Sequence, residues 1–177
     1  MANTDNPQGL VYKMGGNPAI VEVSVDASNA AAIGINDGCI IEADGSVARV
    51  AAGSGVILSG VAEGFKDSTG KSISYLPAST AGTIIAKKID PSMIFEIQAD
   101  SGTALAVAAV GATADLVVAN CDTTTGISKI ELDSSNVETG QQVRIIGISS
   151  AIGNAWGEHV KLLVQIAENT SISNASV

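Results

Sequence analysis

Aromatic side chains are scarce: Tyr12, Phe65, Tyr75, Phe95 and Trp156 are the whole set, 3% of 177 residues. Basic residues are few as well. Nine Lys and Arg, with Arg49 and Arg144 as the arginines, stand against eighteen Asp and Glu, for a net charge of −9. A nucleic-acid surface needs a basic face and usually stacking aromatics, so these two shortages exclude that class. They also leave a carbohydrate cleft without its aromatic platforms. Cys39 and Cys121 are the only cysteines. They lie far apart, and in a reducing compartment they are expected as two small buried thiols rather than a bridge. His159 is the single histidine, which excludes a metal site built from two or three histidines of one chain.

Long apolar runs are missing too. Glu, Asp or Lys interrupts most apolar stretches, and the most apolar, residues 104–119, contains Gly111, Thr113 and Asp115. None reaches the roughly 20 consecutive apolar residues of a membrane helix. The start, MANTDNPQG, has no cationic segment leading into an apolar one. No secretory signal is expected there, and the protein is expected to be made and kept in a cytosol.

What the chain does have is 46% apolar residues and 15% charged ones, enough to bury a core, supplied mainly by Ala, Val and Ile. Short β-branched runs recur between Gly, Asp, Ser and Asn. Residues 19–25, AIVEVSV, alternate with Val21, Val23 and Val25 on one face, which predicts a half-buried strand. Residues 39–43 and 46–50 flank Asp44-Gly45, a hairpin signal with a type I′ turn. Further strands are expected at 56–61, 72–76, 83–88, 93–99, 116–120, 128–132, 143–148 and 160–167. This spacing points to an all-β fold, a single compact β-barrel or β-sandwich. At most one short helix is expected, over 103–109 behind Asp100-Ser101-Gly102. Residues 1–18, rich in Asn, Gly and Pro, are expected as an extended N-terminal arm, 19–167 as the β domain, and 168–177 as a polar tail. A core built from small side chains also suggests that the domain leans on partner surfaces or self-association.

The motifs carry little chemistry. His159 has no Gly-x-Ser-x-Gly elbow to serve, and is expected as a surface or hydrogen-bonded residue at a loop–strand junction. Gly53-Ser-Gly55 lacks the Lys of a phosphate loop and the third glycine of a dinucleotide fingerprint, so it reads as a tight turn. Asp115, Asp122 and Asp133 sit near turns, where a weak calcium loop and a solvated acidic surface are the two readings. Neither catalytic nor cofactor-binding residues are expected, and no metal. Asn169-Thr-Ser171 and Asn174-Ala-Ser176 match glycosylation sequons, with no signal to give them meaning.

Several segments, taken in order, resemble a family. These are Met1–Leu10 with Gly15-Gly-Asn-Pro18, Tyr75-Leu-Pro-Ala-Ser-Thr80, Ile89-Asp-Pro-Ser-Met-Ile-Phe-Glu-Ile-Gln-Ala-Asp100 and Gly111-Ala-Thr-Ala-Asp-Leu116. Gly126–Asp133, Val143-Arg-Ile-Ile-Gly147 and Trp156-Gly-Glu-His-Val160 continue the pattern. Together they resemble the small head decoration (cement) proteins of tailed bacteriophages. Leu10, Val11, Tyr12 and Lys13 depart from the pattern, where an aromatic and a basic residue would follow the first Gly, and residues 27–55 match only as generic strand and turn.

The resemblance implies a non-enzymatic capsid protein, made in a bacterial host cytoplasm and carried on the exterior of the virion. Its partner would be the major capsid protein, bound at capsomer junctions to reinforce the shell. Self-association would favour a trimer, with a dimer as the alternative; neither nucleic acid nor membrane is a partner. Other virion roles (a head-tail connector, a tail component or a head-displayed adhesion module) are the competing readings. Leu10, Val11 and Tyr12, the apolar exception in a polar arm, are the expected capsid-contact residues, with a first strand of the domain's own sheet as the other reading of the same three.

Overall fold

The computed structural model describes residues 3–53, 55–138 and 141–168. In chain order its strands are β1 (Val11–Met14), β2 (Ile20–Val25), β3 (Gly38–Ile41), β4 (Val47–Arg49), β5 (Gly60–Asp67) and β6 (Ser72–Ile73). They continue with β7 (Gly82–Lys88), β8 (Ile94–Gln98), β9 (Thr113–Val117), β10 (Glu131–Glu138), β11 (Val143–Ile148) and β12 (Lys161–Ile166). Sheet A runs β1-β8-β12-β11-β9-β10, and sheet B runs β2-β7-β5-β3-β4 with β6 beside β5. The pairings within both sheets are antiparallel. The fold is all-β, with two six-stranded sheets that do not close into a barrel.

Side-chain alternation builds the core. In β12, Leu162, Val164 and Ile166 are buried while Lys161, Leu163 and Gln165 are half-exposed, the period of two that a strand imposes. These three join Phe95 and Ile97 of β8, Val143 and Ile145 of β11, and Leu116 of β9 in the main cluster. A second cluster holds Val25, Ile33, Cys39, Val47, Phe65 and Ile84. Strand β5 feeds both, Val61 entering the first and Ala62 and Phe65 the second. Strand β5 thus meets both clusters, while the face of sheet B that carries Glu22, Ser24, Lys66 and Lys87 is polar.

Several expected elements take a different form. The stretch expected as an arm contributes Leu10 to the main cluster and β1 to the edge of sheet A, so residues 10–14 belong to the domain. The Asp44-Gly45 hairpin forms, but its turn is not type I′, since only Gly45 of the pair has positive φ (+87°). The Gly45 N–H donates to Glu42 O at 3.0 Å and the Glu42 N–H to Ser46 O at 2.9 Å, a type I turn closed by a left-handed glycine. The Asp44 carboxylate favours this form by accepting from the Ser46 N–H at 2.9 Å. The expected helix shrinks to one 3-10 turn, Val107–Ala109, without a side-chain cap. Asp100 does not cap it, because its carboxylate accepts from the Ser134 N–H at 3.0 Å and from the Ser134 hydroxyl. The strand expected at 116–120 lies earlier, at Thr113–Val117, and that expected at 128–132 lies later, at Glu131–Glu138. All but Glu168 of the expected tail lies outside the described residues.

Candidate functional site

Among the described residues, sheet B ends in two edges, β2 and β4, each paired with a strand on one side only. The sheet curls until these edges approach each other. Val25 and Val47 are buried at the seam, but Val21 is 38% and Ile41 58% exposed. Between them lies a cleft of about 410 Å³, lined by Val21, Val23, Ile41, Val47, Cys39 and Ala86. Lys88 and Glu22 add charge to the same lining, and Glu22 is paired with Lys66 at 2.6 Å. Ile20, next to Val21, is 52% exposed. An unpaired strand edge with an apolar face is a template for a further chain.

The N-terminal segment is fastened to sheet A by a polar clasp. Asn3 Nδ2 donates to the carbonyls of Ala155 and Glu158, both at 2.8 Å, and Asn3 Oδ1 accepts from the Ala155 N–H at 3.0 Å. The Asn6 N–H donates to Gln98 Oε1 at 3.0 Å. Gln98 Nε2 in turn donates to Asp5 at 2.9 Å and Glu131 at 3.0 Å. Gln98 is 3% exposed, so this amide is held on every side. His159 closes the group: its Nδ1 lies 3.7 Å from Asp5 Oδ1, beyond hydrogen-bond reach, and is sealed from solvent with no hydrogen-bond partner among the described residues. Burial pushes the Glu131 carboxyl up, the Gln98 hydrogen bond opposes this, and the charges of Asp5 and Asp100 raise it further. Burial also acts to raise Asp100, but hydrogen bonds from Ser134 and Gly102 hold it below its ordinary value.

Leu10 is fully buried, and its N–H donates to Asn36 O at 2.9 Å. A capsid contact made by Leu10 itself would require exposing it and opening the core. Val11 sits opposite Glu96 on β8. Tyr12 packs edge-to-face on Phe95 at 6.0 Å, its hydroxyl donates to Gly15 O at 2.9 Å, and Lys87 Nζ lies 4.5 Å from its ring centre. Both are half-buried and serve the domain's own sheet. Of the exposed large apolar side chains, Ile20, Val21 and Ile41 lie on β2 and β3, and Met14, Ile57, Val107, Val110, Ile146 and Ile152 lie elsewhere.

The other expected residues are dispersed. Cys39 and Cys121 are free buried thiols, and burial raises both above the ordinary thiol value. Gly53 and Gly55 have φ of +106° and +81°, the tight-turn geometry expected. Asp122 accepts from the Thr124 N–H at 2.8 Å, Asp133 from the Ser135 N–H at 2.9 Å and Asp115 from Asn136 Nδ2 at 2.9 Å. Each has its own local donors. His159 does lie at the junction before β12, while Asp5 and Glu131 carried no motif that could have marked them as its neighbours. No protein-family model, curated protein or solved structure matches the chain.

Proposed function

We propose that this chain is a decoration protein of a bacteriophage head, which binds the outer surface of the capsid shell at capsomer junctions and reinforces it. The observation that carries the reading is the apolar cleft between the unpaired edges of β2 and β4. Added strands bind through backbone hydrogen bonds, with specificity from side chains that fill pockets at alternate positions. A chain poor in aromatics can therefore make a strong contact through its backbone. The ordered sequence segments that resemble cement proteins supply the class of partner, the major capsid protein. Repetition over a shell would turn a modest contact into a strong collective one, and a net charge of −9 would disfavour binding to DNA.

The test is the copy number on purified particles, measured by quantitative mass spectrometry against the major shell protein. Amounts near-stoichiometric with the shell protein are expected. A count of a dozen or fewer would move the protein to the head-tail junction, and absence from particles would overturn the reading.

A further inference from the structure

The clasp on sheet A holds more negative charge than the protein balances. Asp5, Glu131 and Asp100 interact electrostatically around one imidazole. Among the described residues, neither Glu131 nor Asp100 pairs with a Lys or Arg. The donor atoms of Asp5, Glu131 and His159 all lie within 4.8 Å of one another. His159 Nδ1, buried and without a hydrogen-bond partner among the described residues, is the imidazole nitrogen nearest Asp5. A buried nitrogen left unpaired is costly, and an electron-pair acceptor beside it would remove that cost.

We infer that Asp5, Glu131 and His159 form a binding site for a divalent transition-metal ion of the zinc class, which fastens the N-terminal segment to the domain. The donor set selects the class. Calcium takes six to eight oxygen ligands, more than these residues supply, whereas one imidazole nitrogen with two carboxylates suits zinc and its neighbours. Ligand bonds to zinc are about 2.0–2.2 Å and the array is tetrahedral, so two donors on one ion lie about 3.4 Å apart. The His159–Asp5 separation of 3.7 Å is close to this. Separations of up to 4.8 Å must close by about an ångström when the ion binds, and Asp5, with its side chain 63% exposed, has the freedom to move. Gln98 Nε2 donates to both carboxylates, to Asp5 at the same Oδ1 that lies nearest His159, the outer-shell hydrogen bonding that ligating carboxylates commonly have.

The three ligands come from the N-terminal segment, β10 and the loop before β12, so binding would tie together three stretches far apart in sequence. Stability then rises with metal concentration through linkage. A cavity of about 290 Å³ lined by Asn3, Thr4, Asn6, Asn154, His159 and Lys161 lies against the imidazole and gives solvent a path toward the site.

The chain's single histidine makes the test unambiguous. In the full chain at constant pH, ZnCl2 is expected to shift the His159 ring signals in NMR, saturating at one equivalent, and to raise Tm. Asp5→Asn keeps an acceptor for Gln98, and His159→Asn suits a backbone with φ of +53°, because Asn tolerates that region. Each variant is expected to weaken zinc binding by at least about tenfold, at the lower end of what losing even an outer-shell partner costs. Ring signals that ignore millimolar ZnCl2 would overturn the site. So would an undiminished affinity in Asp5→Asn, which would place the ion elsewhere. A ring that responds to acid alone would assign the orphan nitrogen to a proton instead. If His159→Asn does not fold, the wild-type ring signals and Asp5→Asn still decide.

Discussion

Asp37 and Ser128, 91 residues apart in sequence, share a buried hydrogen bond from the serine hydroxyl to the carboxylate. Both are 0% exposed. The other carboxylate oxygen of Asp37 accepts from the Gly34 N–H at 2.7 Å, and the Ile130 N–H donates to Ser128 Oγ at 3.1 Å. The pair ties the approach to β3 in sheet B to the approach to β10 in sheet A. Burial is the main cause that raises the Asp37 carboxyl from 3.8 to about 6, against the lowering effects of Gly34, Ser128 and the Arg49 charge.

A pH dependence follows from this. The native state holds a proton on Asp37 that the unfolded chain has already released between the two pKa values. Stability is therefore expected to fall as pH rises from about 4 to about 6, and to level off above. At about 1.4 kcal/mol per unit, the full effect is roughly 3 kcal/mol. Asp115 and Glu131 are raised by burial as well and add in the same direction. The check is urea unfolding across this window in wild type and Asp37→Asn; the variant should lose much of the slope. Equal slopes in both would show that Asp37 does not titrate there.

The first residues divide into a removable part and an essential one. Leu10→Ala is expected to cost about 2–5 kcal/mol, as for other buried leucines, measured by urea midpoint. Deleting residues 1–8 removes the contacts of Asn3, Asp5 and Asn6 but leaves β1 and the main cluster, so it should cost less and leave a cooperative transition. Deleting 1–18 takes away β1 and Leu10 together and should leave little folded protein. A stable domain after that larger deletion would contradict the role of β1.

Substitutions in the cleft separate binding from folding. Ile41 is 58% exposed, so Ile41→Asp should change stability by no more than about 0.5 kcal/mol. Under the proposed function the same change should abolish co-sedimentation with shells that lack the protein, and Val21→Asp should weaken it. Undiminished shell binding by both variants would place the contact on another face. Light scattering on the same samples reports whether self-association uses this cleft.

Two glycines with nearly the same φ test steric against conformational cost. Gly126 has φ of +74° and Gly153 +80°. A Cβ on Gly126 would overlap the Ser74 carbonyl, whereas one on Gly153 would meet nothing within 4 Å. Gly153→Ala should cost the left-handed penalty alone, about 1–2 kcal/mol. Gly126→Ala should cost clearly more, since backbone must move. Equal midpoints for the two variants would refute this.

The sequence by itself determined the local form of the chain. Alternation in residues 19–25 marked β2, and apolar runs with turn residues at both ends marked β7, β8, β11 and β12, because a strand has one period and its boundaries are set by nearby residues. The same local information fixed Gly53 and Gly55 as turn residues. Where strands competed with their surroundings, the local signal failed: β9 and β10 shifted because pairing across the sheet, not propensity, sets their ends.

The tertiary structure alone decided what those strands do. Leu10, Val11 and Tyr12 read equally well as a contact arm or as a first strand, and only the edge of β8, with Asn36 and the main cluster for Leu10, drew them into the domain. No spacing in the chain announces that Asp5, Gln98, Glu131 and His159 meet, since a cluster gathered from four separate segments has no sequence period. The cleft has the same origin. Val21 and Ile41 are ordinary strand residues until sheet B curls and brings two unpaired edges face to face. Such a relation exists between strands remote in sequence, so it is fixed only when the sheets pack.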